Sequence, residues 1–238
     1  MLKKLLLISN STNSGEEYLD WPRNLITDFF AGTEISRILF IPYAGVTISY
    51  SNYTAKVKEV FEKFGLVIYS IENETNRVDA IHQAEAIAVG GGNTFHLVYM
   101  LHKLRLMEPI FERVNSGLPF LGWSAGANLA CPSMKTTNDM PIVEPESFDC
   151  LGLIPFQINP HYLDANPEGH GGETREQRIQ EFLVVNSETT VVGLRESTAL
   201  RVEGRTMHLL GNRPMRIFQQ GIQPRELNPG IDASFLLI

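Results

Sequence analysis

Pro119-Phe120-Leu121-Gly122-Trp123-Ser124-Ala125-Gly126-Ala127-Asn128-Leu129-Ala130 is the stretch that decides the fold. The apolar run over Pro119–Gly122 reads as a buried strand, and Ala127-Asn128-Leu129-Ala130 reads as a helix. Between them Gly122-Trp123-Ser124-Ala125-Gly126 fits G-x-S-x-G. A strand-to-helix turn this tight crowds the serine's neighbours, so small residues must flank it. The turn lifts the Ser124 hydroxyl above the sheet, and the helix N-terminus offers N–H groups and positive potential. Ser124 is therefore a candidate nucleophile, with the Ala125 N–H facing the anion its attack would create. The bland alternative is a tight turn with an incidental serine; the strand before it and the helix after it favour the nucleophile.

Outward from this elbow, the first half of the chain alternates strands and helices. Leu2–Ser9, Arg37–Pro42, Leu66–Ile71 and Ala86–Val89 read as apolar strands. Helices are expected near Tyr18–Phe30, with Pro22 tolerable only near the start. Others are expected over Tyr53–Phe64, where Val57, Val60, Phe61 and Phe64 have helical spacing, over Thr94–Leu104, and over Glu108–Asn115. Apolar strands separated by helices indicate an α/β fold: a mostly parallel sheet covered on both faces. Sites in such sheets form at the carboxyl ends of the strands, here residues 43–46, 90–94 and 122–126. Gly90-Gly91-Gly92-Asn93-Thr94 closes one strand and opens a helix. Its glycines allow close backbone approach, and the Gly92 N–H could pair with that of Ala125 as an oxyanion hole. A phosphate cradle is disfavoured, because G-x-G-x-x-G and a Walker lysine are both absent.

The second half changes character. Residues 132–172 are rich in Pro, Asn, Asp and Gly, and a connection this long is usually functional. Thr174-Arg175-Glu176-Gln177 looks like a capping box opening a helix to about Leu183. Thr190–Leu194, Leu200–Val202, Met207–Leu210 and Met215–Phe218 are short β-like runs, with turns marked by Gly204 and Gly211-Asn212. An antiparallel meander is expected to end the chain.

With 238 residues, 43% of them hydrophobic, the chain can bury one substantial core, so residues 1–238 are expected to form a single domain. The formal net charge of -7 argues against nucleic acid or an anionic membrane as partner. The start, Met1-Leu2-Lys3-Lys4-Leu5-Leu6-Leu7-Ile8-Ser9-Asn10, suits a buried strand better than a signal peptide, since no small-residue cleavage site follows an adequate apolar region. No stretch approaches the ~20 apolar residues of a membrane span. Cys131 and Cys150 are expected as free thiols in a reducing cytoplasm. H-E-x-x-H and paired CxxC motifs are absent, so no metal and no cofactor is expected.

A serine nucleophile needs a base and an orienting acid. Local sequence leaves both open. His82 and His102 read as surface residues of helices, His96 lies near a strand end, His208 in the meander and His170 in the loop. His161, in Asn159-Pro160-His161-Tyr162 after the apolar run Leu151–Ile158, stands out modestly. For the acid, Asp139, Asp149, Asp164, Glu168 and Glu196 are all available; Glu196 follows an apolar strand, a favourable place for a site.

Longer motifs bear on the choice. They include Leu7-Ile8-Ser9-Asn10-Ser11-Thr12, Ile41-Pro42-Tyr43-Ala44-Gly45-Val46-Thr47, Val89-Gly90-Gly91-Gly92-Asn93-Thr94-Phe95 and the elbow through Cys131-Pro132. Further on come Thr136-Thr137-Asn138-Asp139-Met140-Pro141-Ile142-Val143, Gln157-Ile158-Asn159-Pro160-His161, Glu168-Gly169-His170 and Gly172-Glu173-Thr174-Arg175-Glu176-Gln177-Arg178. From about Leu5 to Leu194 the chain resembles peptidase E, the α-aspartyl dipeptidase family of serine peptidases. The resemblance implies a glutamine amidotransferase-like or flavodoxin-like α/β architecture, in which the elbow residue is usually a cysteine. It implies Ser124 as nucleophile, His161 as base and Glu196 as third member. That chain order differs from the Ser, Asp/Glu, His order of ordinary α/β-hydrolases. The chain departs from its apparent relatives at Arg195, where the family pattern has proline.

The resemblance further implies hydrolysis of Asp-Xaa dipeptides. A small peptide would then be the partner, and the enzyme a monomer or homodimer. Such a substrate needs a reader for its side-chain carboxylate, for which Arg175 is the candidate, and one for its ammonium, for which Asp139 is the candidate. Arg175 could equally be an exposed helix arginine, and Asp139 a turn residue bonding its own backbone. A cyanophycinase-like hydrolase of β-aspartyl peptides and a non-catalytic binding module are the rival readings.

Overall fold

The computed structural model describes residues 3–166, 168–169 and 171–238. Leu2, the first residue of the expected N-terminal strand, and His170, one of the candidate histidines, lie outside the described residues. In chain order the regular elements begin β1 (Lys4–Ile8), α1 (Arg23–Phe30), β2 (Arg37–Ile41), α2 (Tyr50–Glu62), β3 (Val67–Ser70) and α3 (Arg77–Gln83). They continue with β4 (Ile87–Val89), α4 (Thr94–Lys103), α5 (Met107–Asn115), β5 (Phe120–Trp123), α6 (Ala125–Asn128) and β6 (Gln157–Tyr162). Then come α7 (Arg175–Val185), β7 (Val191–Arg195), β8 (Thr198–Glu203), β9 (Thr206–Gly211), β10 (Met215–Gln219) and β11 (Ile222–Leu227).

A seven-stranded sheet runs β3-β2-β4-β5-β1-β8-β9. Its first five strands are mutually parallel, which brings the carboxyl ends of β1, β2, β4 and β5 to one edge. Leu5, Leu6, Leu7 and Ile8 of β1 are all fully buried, as are Ile38, Leu39, Phe40 and Ile41 of β2. Successive side chains point to opposite faces, so Leu5 and Leu7 join one core while Leu6 and Ile8 join another. Burying each such side chain contributes about 1.5–3 kcal/mol relative to leaving it in water. That is why these strands read as continuous apolar runs.

The antiparallel strands expected at the C-terminus are present, and the structure divides them between two sheets. β8 and β9 extend the main sheet beside β1, antiparallel to it. β7, β10 and β11 join β6 in a second sheet of order β11-β10-β7-β6. The chain thus crosses from one sheet to the other between Arg195 and Thr198. Within the 132–172 connection, Gln157–Tyr162 proves to be a strand, β6, paired parallel to β7. Pro160 sits in it because β6 is an edge strand, where a missing donor is tolerated. The helix expected from Tyr18 begins only at Arg23. Leu19 has φ +58 and Pro22 occupies the cap, so the backbone turns before it coils. The sequence reading had no helix over Arg77–Gln83; Asn76 caps α3 through the N–H groups of Val78 and Asp79.

Candidate active site

Ser124 sits between β5 and α6 with φ +53 and ψ −112, a conformation that costs a non-glycine residue about 1–3 kcal/mol. Its neighbours hold it there. The Ser124 N–H donates to Ile8 O at 2.9 Å. A Cβ on Gly122 would fall 2.3 Å from Gly126 O, and one on Gly126 would fall 2.2 Å from Val89 O. Both glycines of the elbow are therefore demanded by backbone contact. The helix after it, α6, is one turn of four residues and begins at Ala125, two residues before the expected start at Ala127. So short a helix has little macrodipole, and what it offers an anion is its first amide. Among the described residues the N–H of Ala125 has no acceptor.

His161 is brought to Ser124 by a break in strand register. Pro160 pairs with Leu194 and Tyr162 with Arg195, so β6 advances two residues while β7 advances one. His161 is the extra residue of a β-bulge, at φ +53. Its side chain is thereby aimed at the edge of the main sheet. Nε2 lies 3.0 Å from Ser124 Oγ, and Nδ1 lies 2.8 Å from Glu196 Oε1. A carboxylate at Nδ1 favours the tautomer with its proton on that nitrogen, which leaves Nε2 free to accept from the serine. Glu196 stands where the chain leaves β7 for β8, and Asn10 Oδ1 accepts from the N–H of Ser197 at 2.9 Å. Thus Ile8, Ser9 and Asn10, consecutive at the end of β1, each hold a segment of this array. Ser9 does so through the N–H of His161. Sequence reading assigned no role to Ser9 or Asn10; their position at the carboxyl end of a central strand is the signal that could have found them.

The other candidates fall elsewhere. His96 Nδ1 is engaged with Tyr43 O and His102 Nε2 with Asp149 O. Asp164 is bound by Arg195. Gly92, at φ +138, packs so closely that a Cβ would lie 2.1 Å from Ala44 O. Gly90 and Asn93 donate their N–H groups to Ile41 and Ala44, while that of Gly92 has no acceptor among the described residues. The preceding Gly91 lies against the elbow: its Cβ would fall 3.0 Å from that of Ser124.

A pocket of about 250 Å³ is lined by Thr137, Asn138, Asp139, Asn159 and Arg175, among others. Arg175 and Asp139 thus line one pocket. Arg175 donates to Asn138 Oδ1, which also accepts from Asn159, while Asn138 Nδ2 donates to Pro160 O, next to His161. Asn138 escaped the sequence reading because its role comes from residues 21 and 37 positions away. Burial draws the Arg175 guanidinium below its ordinary value, nearby Arg178 adds to this, and Asp139 opposes it. Asp139 is also structural: Oδ2 accepts from Thr94 N, Thr94 Oγ1 and Thr137 Oγ1, capping α4. Its Oδ1 makes no hydrogen bond among the described residues.

Arg195 is buried and uses all five guanidinium donors. They bind Asp164, Glu226 and the carbonyl of Pro214, each carboxylate in bidentate fashion. Both cysteines are free, and burial pushes the Cys131 thiol up to about 12, so it is no rival nucleophile. Among the described residues no cluster of His, Cys, Asp and Glu could hold a metal, and no helix is long and apolar enough to cross a membrane.

Comparison with known proteins places this mostly parallel α/β sheet and its elbow in a peptidase. The model of peptidase family S51 matches residues 5–210, and the chain belongs to that family. It is 48% identical over 237 residues to peptidase E of Nostoc sp., covering 100% of this chain and 98% of that one. It is 46% identical over 234 residues to peptidase E of Streptomyces coelicolor, covering 98% and 94%. The crystal structure of a peptidase from an acI-B1 actinobacterium shares the fold, with a TM-score of 0.72 at 20% identity over 99% of this chain and 98% of that one.

Proposed function

We propose that this peptidase is a serine dipeptidase that hydrolyses Asp-Xaa through an aspartyl-enzyme. The observation that carries the proposal is the array Ser124 Oγ, His161 Nε2, His161 Nδ1, Glu196 Oε1, with separations of 3.0 and 2.8 Å. His161 takes the Ser124 proton as Oγ attacks the aspartyl carbonyl, and Glu196 stabilises the imidazolium. The N–H groups of Gly92 and Ala125 receive the oxyanion. His161 then returns the proton to the departing amine, and water resolves the ester by the same steps in reverse.

Arg175 binds the side-chain carboxylate of the substrate and Asp139 Oδ1 its ammonium. Their place in one pocket, tied to the residue before His161 through Asn138, supports this assignment. A bidentate guanidinium discriminates a carboxylate from the amide of Asn. Two free cysteines suit a cytoplasmic location, which is part of the proposal.

The test is hydrolysis of Asp-Leu and of β-aspartyl-Arg by the wild type and by Ser124→Ala, with phosphonate labelling of both. Asp-Leu cleavage lost with Ser124, together with loss of labelling, is the expected result. Cleavage that survives Ser124→Ala would remove the nucleophile, and a preference for β-aspartyl-Arg would reassign the substrate.

A further inference from the structure

The glycine loop beside Ser124 is held by a side chain that the mechanism does not otherwise use. Tyr53, on α2, is almost wholly buried, with its ring edge-on to Phe40; Phe40 in turn stacks on Trp123, the residue before the nucleophile. The Tyr53 hydroxyl donates to the carbonyl of Gly91 at 2.9 Å. It is the last of a directed series: Trp123 Nε1 donates to Tyr18 Oη at 3.1 Å, and Tyr18 Oη donates to Tyr53 Oη at 3.3 Å. Gly90 makes room for it, because a Cβ there would fall 2.4 Å from the Tyr53 hydroxyl.

The carbonyl of Gly91 and the N–H of Gly92 belong to one peptide unit. That unit is trans, so the two groups point in opposite directions. Fixing the oxygen therefore fixes the amide hydrogen, and a hydrogen bond accepted by the oxygen polarises the N–H on the far side. We infer that Tyr53 is a positioning residue of the oxyanion hole, orienting and polarising the Gly92 N–H through the Gly91 carbonyl. The inference rests on the proposed roles of Ser124 and Gly92. Burial pushes the Tyr53 hydroxyl above its ordinary value, so it stays a donor throughout the neutral range. Such a residue acts when charge develops on the substrate oxygen. Its contribution belongs to kcat and to the binding of tetrahedral adducts, not to substrate binding.

Tyr53→Phe removes the bond to the Gly91 carbonyl, with the one the hydroxyl accepts from Tyr18, and keeps the ring. Expected on Asp-Leu is a fall in kcat of about tenfold, less than the 10²–10³ of deleting an oxyanion donor outright. KM stays within about twofold, and affinity for an aspartyl aldehyde, which adds to Ser124 as a tetrahedral adduct, falls in step with kcat while affinity for free aspartate is unchanged. Tyr18→Phe, one bond further along, carries the same signature at smaller size and serves if Tyr53→Phe does not fold. Unchanged kcat in the folded variants, or a fall in kcat with aldehyde affinity unchanged, overturns the inference. Ser124→Ala is assayed alongside. Activity surviving there removes the whole site, whereas a dead Ser124→Ala beside a fully active Tyr53→Phe removes only the role of Tyr53.

Discussion

The backbone N–H of His161 donates to the hydroxyl of Ser9 at 2.9 Å, across 152 positions of chain. The same hydroxyl donates to Leu194 O at 2.7 Å. Ser9 therefore takes the place of the ladder bond that the bulge at His161 removes, and it ties the strand of His161 to the strand leading to Glu196. Ser9→Ala leaves the partly buried His161 N–H and the buried Leu194 carbonyl without this partner, a cost of about 2 kcal/mol. At roughly 2–4 °C per kcal/mol for this chain length, Tm should drop by about 4–8 °C. With the imidazole less well placed, kcat for Asp-Leu should fall roughly tenfold at nearly constant KM. Steady-state kinetics with thermal unfolding checks both, and an unaltered kcat would show that the bulge holds without Ser9.

Glu196→Gln replaces an acceptor at His161 Nδ1 by a group that can also donate there. The tautomer with Nε2 protonated then competes, and that form cannot take the serine proton. The expected loss in kcat is on the order of 10³-fold, with little change in stability because the Glu196 side chain is 41% exposed. If turnover survives within a few-fold, the third member lies elsewhere.

Gly92→Ala puts a methyl group into Ala44 O at a backbone φ of +138. The loop must move, and the Gly92 N–H moves with it. The change is expected to lower stability by about 1–3 kcal/mol and kcat by at least about 10²-fold. Denaturant titration beside an Asp-Leu assay separates the two effects. Wild-type kcat in a folded variant would place the oxyanion donor elsewhere.

Arg175→Ala should lower kcat/KM for Asp-Leu by on the order of 10²-fold, the worth of a charge-assisted bidentate pair, and that for an uncharged X-Leu dipeptide far less. Arg175→Lys should restore little, because an ammonium cannot present the planar fork. A panel of X-Leu dipeptides is the measurement. Equal losses on charged and uncharged substrates would make Arg175 a structural residue, held by Asn138.

The Arg195 cluster carries a pH dependence. Hydrogen bonds from Arg195 hold the Asp164 carboxyl below the usual carboxylate range. A carboxyl whose folded pKa is depressed adds stability that is fully present above its unfolded value of about 3.9, and that is lost as pH falls through the folded value. In Arg195→Met, Asp164 and Glu226 lose their shared cation. Tm at about pH 7 should drop, and the gap from wild type should narrow below about pH 4, as Asp164 takes up a proton in both proteins. Because Asp164 is more than half exposed, solvent screens the effect and the narrowing is modest. Parallel Tm curves from about pH 7 to pH 3 would show that the pairing does not set acid stability.

The main sheet was legible in the sequence because its strands are buried on both faces, so Leu5–Ile8 and Ile38–Ile41 appear as unbroken apolar runs. The elbow was legible because close backbone contacts on both sides of Ser124 exclude any Cβ at Gly122 and Gly126. β6 was hidden by Asn159-Pro160-His161, which breaks the pattern of a strand, and that interruption is where the bulge lies. α3 was hidden because it is short and rests on a side-chain cap at Asn76. The two-sheet division of the C-terminal strands could not be read either, since alternation shows that a strand has a buried face and not which sheet it joins.

By itself the sequence determined the α/β class, the parallel order of elements and the strained serine, all of which follow from local periodicity and from sterics between near neighbours. Whether His161 meets Ser124, whether Glu196 rather than Asp139 or Asp164 stands behind it, and which N–H groups remain free were decided only in three dimensions. Those outcomes depend on the register of β6 against β7, and on hydrogen bonds from Ser9 and Asn10 to residues 152 and 187 positions away. A spacing rule sees neighbours along the chain; the array Ser124, His161 and Glu196 is made of neighbours in space.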